Sequence, residues 1–269
     1  MKLKKVLGGL VVAASVFLLA ACGSSSSEDT SLKDIQDKGT LVVALNPEFA
    51  PFEFKTLVDG KDTIVGADVD LAQAIADELG VDLKISSMSF NNVLTSVQSG
   101  KADIAISGIS STAERAKVYD FSEPYYESAN VVIIRKTDAS KYTKTDSFDG
   151  LSVGAQKGSI QEAVVTDQLS GAKLVAIVQN SELINELKNS QLEGVVFEKA
   201  IAQGYVANND DLMIADVPLE TGDSDAYAIA MPKGSAALKA KIDKVVTKLK
   251  DSGEIEKFVE EAYKLSITE

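Results

Sequence analysis

Residues 41–107 alternate short apolar runs with amphipathic stretches, and that order restricts the fold more than any other feature of the chain. LVVAL (41–45) reads as a buried strand. DVDLAQAIADELG (68–80) reads as a helix, with Leu71, Ile75 and Leu79 on one stripe and Gly80 as its stop. DLKIS (82–86) is a second strand, FNNVLTSVQSGK (90–101) a second helix, and ADIAIS (102–107) a third strand. The β-α-β-α-β order predicts a mainly parallel sheet with helices on its faces.

The pattern returns in the second half. LSVGAQKGSI (151–160) overlays LVVALNPEFA (41–50), and LKNSQLEGVVFE (187–198) overlays VQSGKADIAISG (97–108). Asn46 then matches Gln156, Ser107 matches Phe197, and Gly108 matches Glu198. The overlay predicts two lobes of like architecture. Ligands of such sheets bind at the carboxyl ends of strands, so the turns at 46, 107, 156 and 197 are the places for a site. SANVVIIRK (128–136) and LETGDSDAYAIAMPKG (219–234) are expected to cross between the lobes and form a hinge. Two C-terminal helices, with stripes Leu238, Ile242, Val245, Leu249 and Ile255, Phe258, Val259, Ala262, are expected to cover the first sheet.

The chain begins with a different kind of sequence. MKLKK is a basic opening and VLGGLVVAASVFLLAA an apolar segment of secretory-signal length. The junction LAACG (19–23) resembles the bacterial lipoprotein signal, in which cleavage precedes a cysteine that receives lipid; here that is Cys22, the sole cysteine. An ordinary signal with a chance cysteine is the alternative. GSSSSEDTS (23–31) then reads as a polar tether. The expected division is a signal peptide over 1–21, a lipidated tether over 22–33, a first lobe over 34–132 with 227–269, and a second lobe over 133–226.

Composition narrows the chemistry. Histidine is absent, which removes the commonest metal ligand and general base. One cysteine allows no internal disulfide. The formal charge is −13, and loss of Lys2, Lys4 and Lys5 with the signal takes it to −16. Such an acidic chain is a poor partner for nucleic acid.

SGISSTAER (107–115) holds the densest polar chemistry. Ser107, Ser110, Ser111 and Thr112 offer hydroxyls and N–H groups, and Gly108 permits close backbone approach. STAER also reads as a helix start, with Ser111 or Thr112 as cap and Glu114 at the third position. Helix starts favour anions, and Arg115 adds a planar fork that fits a carboxylate. The alternative for Arg115 is a surface arginine paired with an acidic neighbour.

Taken in order, SGISSTAER, NPEFAPFEF (46–54), VGADVDLAQAIADELG (65–80), SFNNVLTSVQSGKADIAISG (89–108), YDFSEPYY (119–126), VGAQKGSIQE (153–162), LEGVVFEKAIAQGY (192–205) and YAIAMPKGS (227–235) resemble the polar amino-acid-binding proteins of ABC transporters, the bacterial extracellular solute-binding proteins of family 3. The resemblance implies a two-lobed α/β fold of the type II periplasmic-binding-protein kind with a two-crossing hinge. It implies a monomeric binding protein rather than an enzyme, with no cofactor and no metal. An amino acid would be captured between the lobes and delivered to a membrane permease, on the extracellular face of the membrane. Carried over by motif, the ligand's α-carboxylate falls to Arg115, Gly108, Ser110, Gly158 and Ser159. The α-ammonium falls to Glu198, where aspartate is commoner in the family. Phe49 and Phe90 match aromatics that flank the ligand, with core packing as the alternative. Asn46 stands where many relatives of basic or amide specificity have aspartate, which weakens the expectation of a lysine or arginine ligand without excluding it, and Gln156 and Gln161 line the facing turn.

The charges make physical sense of that set. A zwitterion leaving water needs both ends paired; one arginine with N–H donors serves the carboxylate and one carboxylate serves the ammonium. Asn46, Gln156 and Ser107 point to a polar side chain, with glutamine, another uncharged polar residue, arginine and cystine all open. The competing readings are a sensory or adhesive surface protein and a dehydratase-like enzyme acting on small acids.

Overall fold

The computed structural model describes residues 29–222 and 225–267. The signal segment, Cys22 and residues 22–28 of the tether lie outside them. The remainder of the tether is not a linker. Asp29 accepts the Ala237 N–H at 2.7 Å, and helix α1 (Ser31–Lys38) starts at once, closed by Gly39 in the left-handed conformation. The Ile35 side chain buries it against the first lobe.

The first lobe is built on a five-stranded sheet of β1 (Thr40–Leu45), β5 (Asp82–Ser87), β6 (Ile104–Ala105), β7 (Tyr119–Phe121) and β13 (Ala230–Pro232), in the order β5-β1-β6-β13-β7. The three strands read from the alternation are parallel, and β13 and β7 add antiparallel pairs. A small antiparallel sheet of β2 (Glu48–Phe49), β3 (Glu53–Val58) and β4 (Lys61–Val65) stands beside it. Helices α2 (Ala67–Leu79) and α3 (Phe90–Gln98) connect the parallel strands. Leu71, Ile75 and Leu79 are buried as their spacing demands. Of the C-terminal pair, α7 (Ala236–Asp251) packs on β7 and α2, and α8 (Glu254–Ser266) packs on α2 and α7.

The second lobe repeats the plan: β8 (Asn130–Arg135), β9 (Ser152–Gln156), β10 (Lys173–Ile177), β11 (Gly194–Glu198) and β12 (Leu212–Ile214) lie in the order β10-β9-β11-β8-β12. Again β9, β10 and β11 pair in parallel, and β8 makes antiparallel pairs with β11 and β12. Helices α4 (Gln161–Gln168), α5 (Asn180–Lys188) and α6 (Lys199–Ala207) flank them. The sheets are therefore mixed, because each lobe takes its fourth strand from the chain arriving from the other lobe.

That arrangement moves the first crossing. Residues 130–135 are not a linker but β8, whose run Val132–Ile134 is fully buried. The chain leaves the first sheet after Phe121 and enters the second at Asn130, so the division expected at 132/133 falls inside a strand. The real crossings, 122–129 and 215–229, run side by side. Tyr125 N–H donates to the Tyr227 carbonyl at 2.9 Å, and Tyr227 N–H to the Tyr126 carbonyl at 2.8 Å. Tyr227 is fully buried there among the rings of Phe49, Phe52, Tyr125 and Tyr126. One cluster of buried apolar side chains runs from Leu71 and Ile75 through Phe52 and Tyr227 to Phe197 and Ile201, so the lobes are packed together.

Candidate functional site

The strand ends face one another across the lobes as the overlay requires. Asn46 follows β1, and Gln156 ends β9. The Gln156 amide donates from Nε2 to Asn46 Oδ1 at 3.0 Å, with both side chains buried. Asn46 in turn donates from its backbone to Ser107 Oγ at 3.0 Å and from Nδ2 to the Met88 carbonyl at 3.0 Å. Two further clasps join the lobes. Arg115 Nη2 donates to the Gly158 carbonyl at 3.1 Å, and the N-terminus of α5 donates from Asn180 N–H to the Glu48 carboxylate at 2.9 Å.

The stretch 111–117 forms no α-helix. Thr112 caps as its sequence predicts, accepting the Arg115 N–H on Oγ1 at 3.2 Å, but the turn is a single 3₁₀ turn over Arg115–Lys117. The stretch therefore lacks the N–H array of a long helix start, and its one cationic group apart from Lys117 is the Arg115 guanidinium. Its Nη1 donates to the Ser110 carbonyl at 2.9 Å. Burial pulls Arg115 below its ordinary range, with Glu198 opposing, and it remains a cation.

Two of the backbone groups assigned to a carboxylate are otherwise engaged. Gly108 N–H donates to Asp68 Oδ2 at 3.1 Å, and Gly158 N–H to Glu162 Oε1 at 2.8 Å. Ser110 is buried, and the Ser159 hydroxyl oxygen is buried with no protein partner. Phe49 packs in the aromatic cluster over Gly108. Phe90 is half-buried at the start of α3, against the outer core of the first lobe.

Glu198 ends β11 and is almost wholly buried. Burial, reinforced by the nearby Asp225 carboxylate, pushes it up to about 7, while its own N–H, the Gln161 amide and Arg115 act the other way. Gln161 passes the network on, donating to Asn130 Oδ1 at 2.7 Å, and Asn130 donates to Asp225 at 3.0 Å. The line from Glu198 to the second crossing is continuous.

Three acidic and phenolic groups escaped the sequence reading. Glu53 and Asp68 are fully buried beneath the loop at 107–108. Ser107 donates its hydroxyl to Glu53, and Tyr125 donates to Asp68 at 2.9 Å. Both acids lie inside the quoted motifs PFEF and GADVDL. The available signal was a charged residue set between Phe52 and Phe54, where only a buried and bonded carboxyl is tolerated. Glu53 also feels the negative charge of Glu198, so the acids of the two lobes converge on one region.

A family model described as bacterial extracellular solute-binding proteins, family 3, matches residues 41–264. The chain is 37% identical over 258 residues to the arginine-binding extracellular protein ArtP of Bacillus subtilis (strain 168), covering 95% of this chain and 96% of that protein. Among solved structures it is similar to the amino acid ABC transporter substrate-binding protein AbpA of Streptococcus pneumoniae Canada MDR_19A bound to L-arginine. The two share 53% identity with a TM-score of 0.86, over 88% of this chain and 100% of that one. The ancestral amino acid-binding protein AncCDT-1, described as a precursor of cyclohexadienyl dehydratase, is 28% identical with a TM-score of 0.77, over 87% of this chain and 99% of that one.

Proposed function

We propose, from the premise that this chain belongs to the bacterial extracellular solute-binding proteins of family 3, that it captures a free L-amino acid with a cationic side chain, L-arginine first, and hands it unchanged to an ABC importer. The observation that carries the side-chain class is the charge of the cleft. Arg115 is the cation of a region where Glu198, Glu53 and Asp68 converge. A neutral zwitterion takes up one positive and one negative group and leaves the other two acids uncompensated; a second cation on the ligand reduces that cost. The arginine named for ArtP and AbpA agrees with this charge count. Asn46, in place of aspartate, leaves the cation to the deeper carboxylate of Asp68.

In this reading Arg115 holds the α-carboxylate with the hydroxyls of Ser110 and Ser159, and Glu198 holds the α-ammonium. Phe49 and Phe90 flank the side chain. Cys22 carries the lipid that holds the protein at the outer face of the membrane, supported by the LAACG junction.

A thermal-shift screen over all amino acids tests the assignment. A micromolar ligand present at millimolar concentration stabilises by about 4 kcal/mol. L-arginine is expected to give the largest shift and to be recovered intact. A larger shift with glutamine or cystine overturns the cationic assignment, and no shift with any amino acid favours a sensory or adhesive role.

A further inference from the structure

Two carboxyl groups lie side by side beneath the first-lobe loop, both fully buried, with Glu53 on β3 and Asp68 on α2. Each has one oxygen fixed by donors. Glu53 Oε1 accepts the Ser107 hydroxyl; Asp68 Oδ2 accepts the Gly108 N–H and the Tyr125 hydroxyl. Each has a second oxygen, Glu53 Oε2 and Asp68 Oδ1, that is buried and without a donor. The two side chains are within hydrogen-bonding reach of one another. Two orphaned acceptors on interacting side chains, both out of water, are satisfied together by a single proton between them.

We propose that Glu53 is a neutral carboxylic acid that donates its Oε2 proton to Asp68 Oδ1, and that this acid–carboxylate pair positions Asn46, Ser107 and Gly108 for the ligand. The bonding runs without a break. Asn46 N–H donates to Ser107, Ser107 to Glu53, Glu53 to Asp68, and Asp68 receives Gly108 and Tyr125 on its other oxygen. Three site residues from two loops thus rest on one proton. The groups that face the pair reinforce the assignment. Asp68 and, across the cleft, Glu198 bear on Glu53 with negative charge, and burial drives Glu53 well above the ordinary carboxylate range. Asp68, stabilised by Tyr125 and Gly108, rises only to about 6 and is the partner that ionises. The Tyr227 phenol also faces Asp68 and Glu198, and burial holds it well above its ordinary range, so it stays neutral. Like charges in contact at full burial do not both ionise.

The consequence for recognition rests on the ligand class proposed above. With Glu53 neutral, Arg115, Glu198 and Asp68 sum to one negative charge, which a dibasic amino acid carrying one net positive charge cancels. A charged Glu53 would leave the closed cleft with an excess acid.

Infrared difference spectroscopy on the ligand-free protein tests the proton directly, with no ligand involved. At neutral pH, in a Glu198→Gln background that removes the other buried acid titrating near 7, the protein is expected to show the carbonyl stretch of a protonated carboxylic acid, shifted in heavy water and absent once Glu53→Gln is added. The side-chain amide of the Glu53→Gln variant keeps both bonds, accepting from Ser107 and donating to Asp68. Glu53→Ala breaks both bonds and is therefore expected to bind L-arginine about tenfold or more weaker than Glu53→Gln does. Asp68→Asn, whose amide donates to an ionised Glu53, removes the same band and serves if Glu53→Gln does not fold. Absence of the band in the Glu198→Gln background overturns the proposal, as does a folded Glu53→Gln that binds L-arginine no better than Glu53→Ala, which would mean that position 53 supplies negative charge to the ligand and not the two bonds. If the wild type binds no amino acid, the ligand assignment fails and the infrared band still decides the shared proton.

Discussion

Arg115 donates to a carbonyl in each lobe, Ser110 at 2.9 Å in its own and Gly158 at 3.1 Å in the other. The two bonds use one N–H on each terminal nitrogen. A guanidinium has five N–H donors, so three remain for a carboxylate among the described residues. Arg115 thus ties the two lobes while keeping donors free, so carboxylate capture as proposed would be coupled to lobe closure.

Arg115→Ala is therefore expected to fold normally, since the lobe cores do not include it, and to lose affinity. Truncating one member of a buried charge pair costs ~2–5 kcal/mol, about 30-fold to several thousand-fold. Arg115→Lys keeps the charge, loses the fork, and also binds poorly. Titration calorimetry with L-arginine decides it. Binding of the alanine variant within about twofold of wild type would place the carboxylate elsewhere.

Glu198 gives the protein a pH signature with two opposite signs. Its folded value of about 7 lies above the ordinary 4.5, so ligand-free stability is greatest below the ordinary value and falls as pH rises through about 7. Asp68, raised to about 6, adds in the same direction. Binding of an ammonium needs ionised Glu198, so affinity falls as pH drops below about 7, approaching tenfold per unit. Melting curves and calorimetry across this range are expected to show both trends, and Glu198→Gln to bind weakly with a flat profile. A wild-type affinity independent of pH would remove Glu198 from the ammonium site.

Much of this was legible in the sequence, for definite reasons. Leu71, Ile75 and Leu79 declare α2 because a helix buries one stripe, and Gly80 declares its end because the left-handed cap favours glycine. The facing of Asn46 and Gln156 followed from the repeat. Val131–Ile134 misled because a central antiparallel strand and an extended crossing share an apolar, unpatterned sequence; only strand order separates them. The 3₁₀ turn at Arg115 was hidden because a cap specifies where a helix starts and not how far it runs. Glu53, Asp68 and Asn180 were missed because their roles depend on partners 40–132 residues away.

The Gln156–Asn46 bond is expected to bias the lobes toward closure. A net hydrogen bond is worth about 1 kcal/mol, roughly a fivefold change in an equilibrium. Asn46→Ala and Gln156→Ala should each expand the ligand-free protein by small-angle scattering, saturating ligand should restore compactness, and the double variant should be little worse than either single. Unchanged scattering in both singles would show that the clasp does not govern closure.

Anchoring is tested at Cys22. A single acyl chain holds only marginally, so stable attachment needs a multi-chain lipid on that sulfur. Cys22→Ala is expected to release the protein from membranes or to block its maturation, read by fractionation and mass. A processed variant that stays membrane-bound would rule the lipid out.

Gly108 lies in the proposed site and has no room for a side chain. Its φ of 53° lies in the left-handed region, and a Cβ there would stand 2.3 Å from Phe49 Cε1. Phe49 has little room to yield, with ring centroids of Phe52 at 6.0 Å and Tyr227 at 6.1 Å. Gly108→Ala combines backbone strain of ~1–2 kcal/mol with overpacking of ~1–3 kcal/mol, and a large fall in melting temperature is expected. Phe49→Leu should destabilise the wild type and yet recover part of the loss in Gly108→Ala, because it removes the clash and leaves the strain. A cycle of the four proteins separates the two costs. If Gly108→Ala unfolds within about 0.5 kcal/mol of wild type, the scale of a harmless surface change, then Phe49 is free to move and does not fix this wall of the cleft.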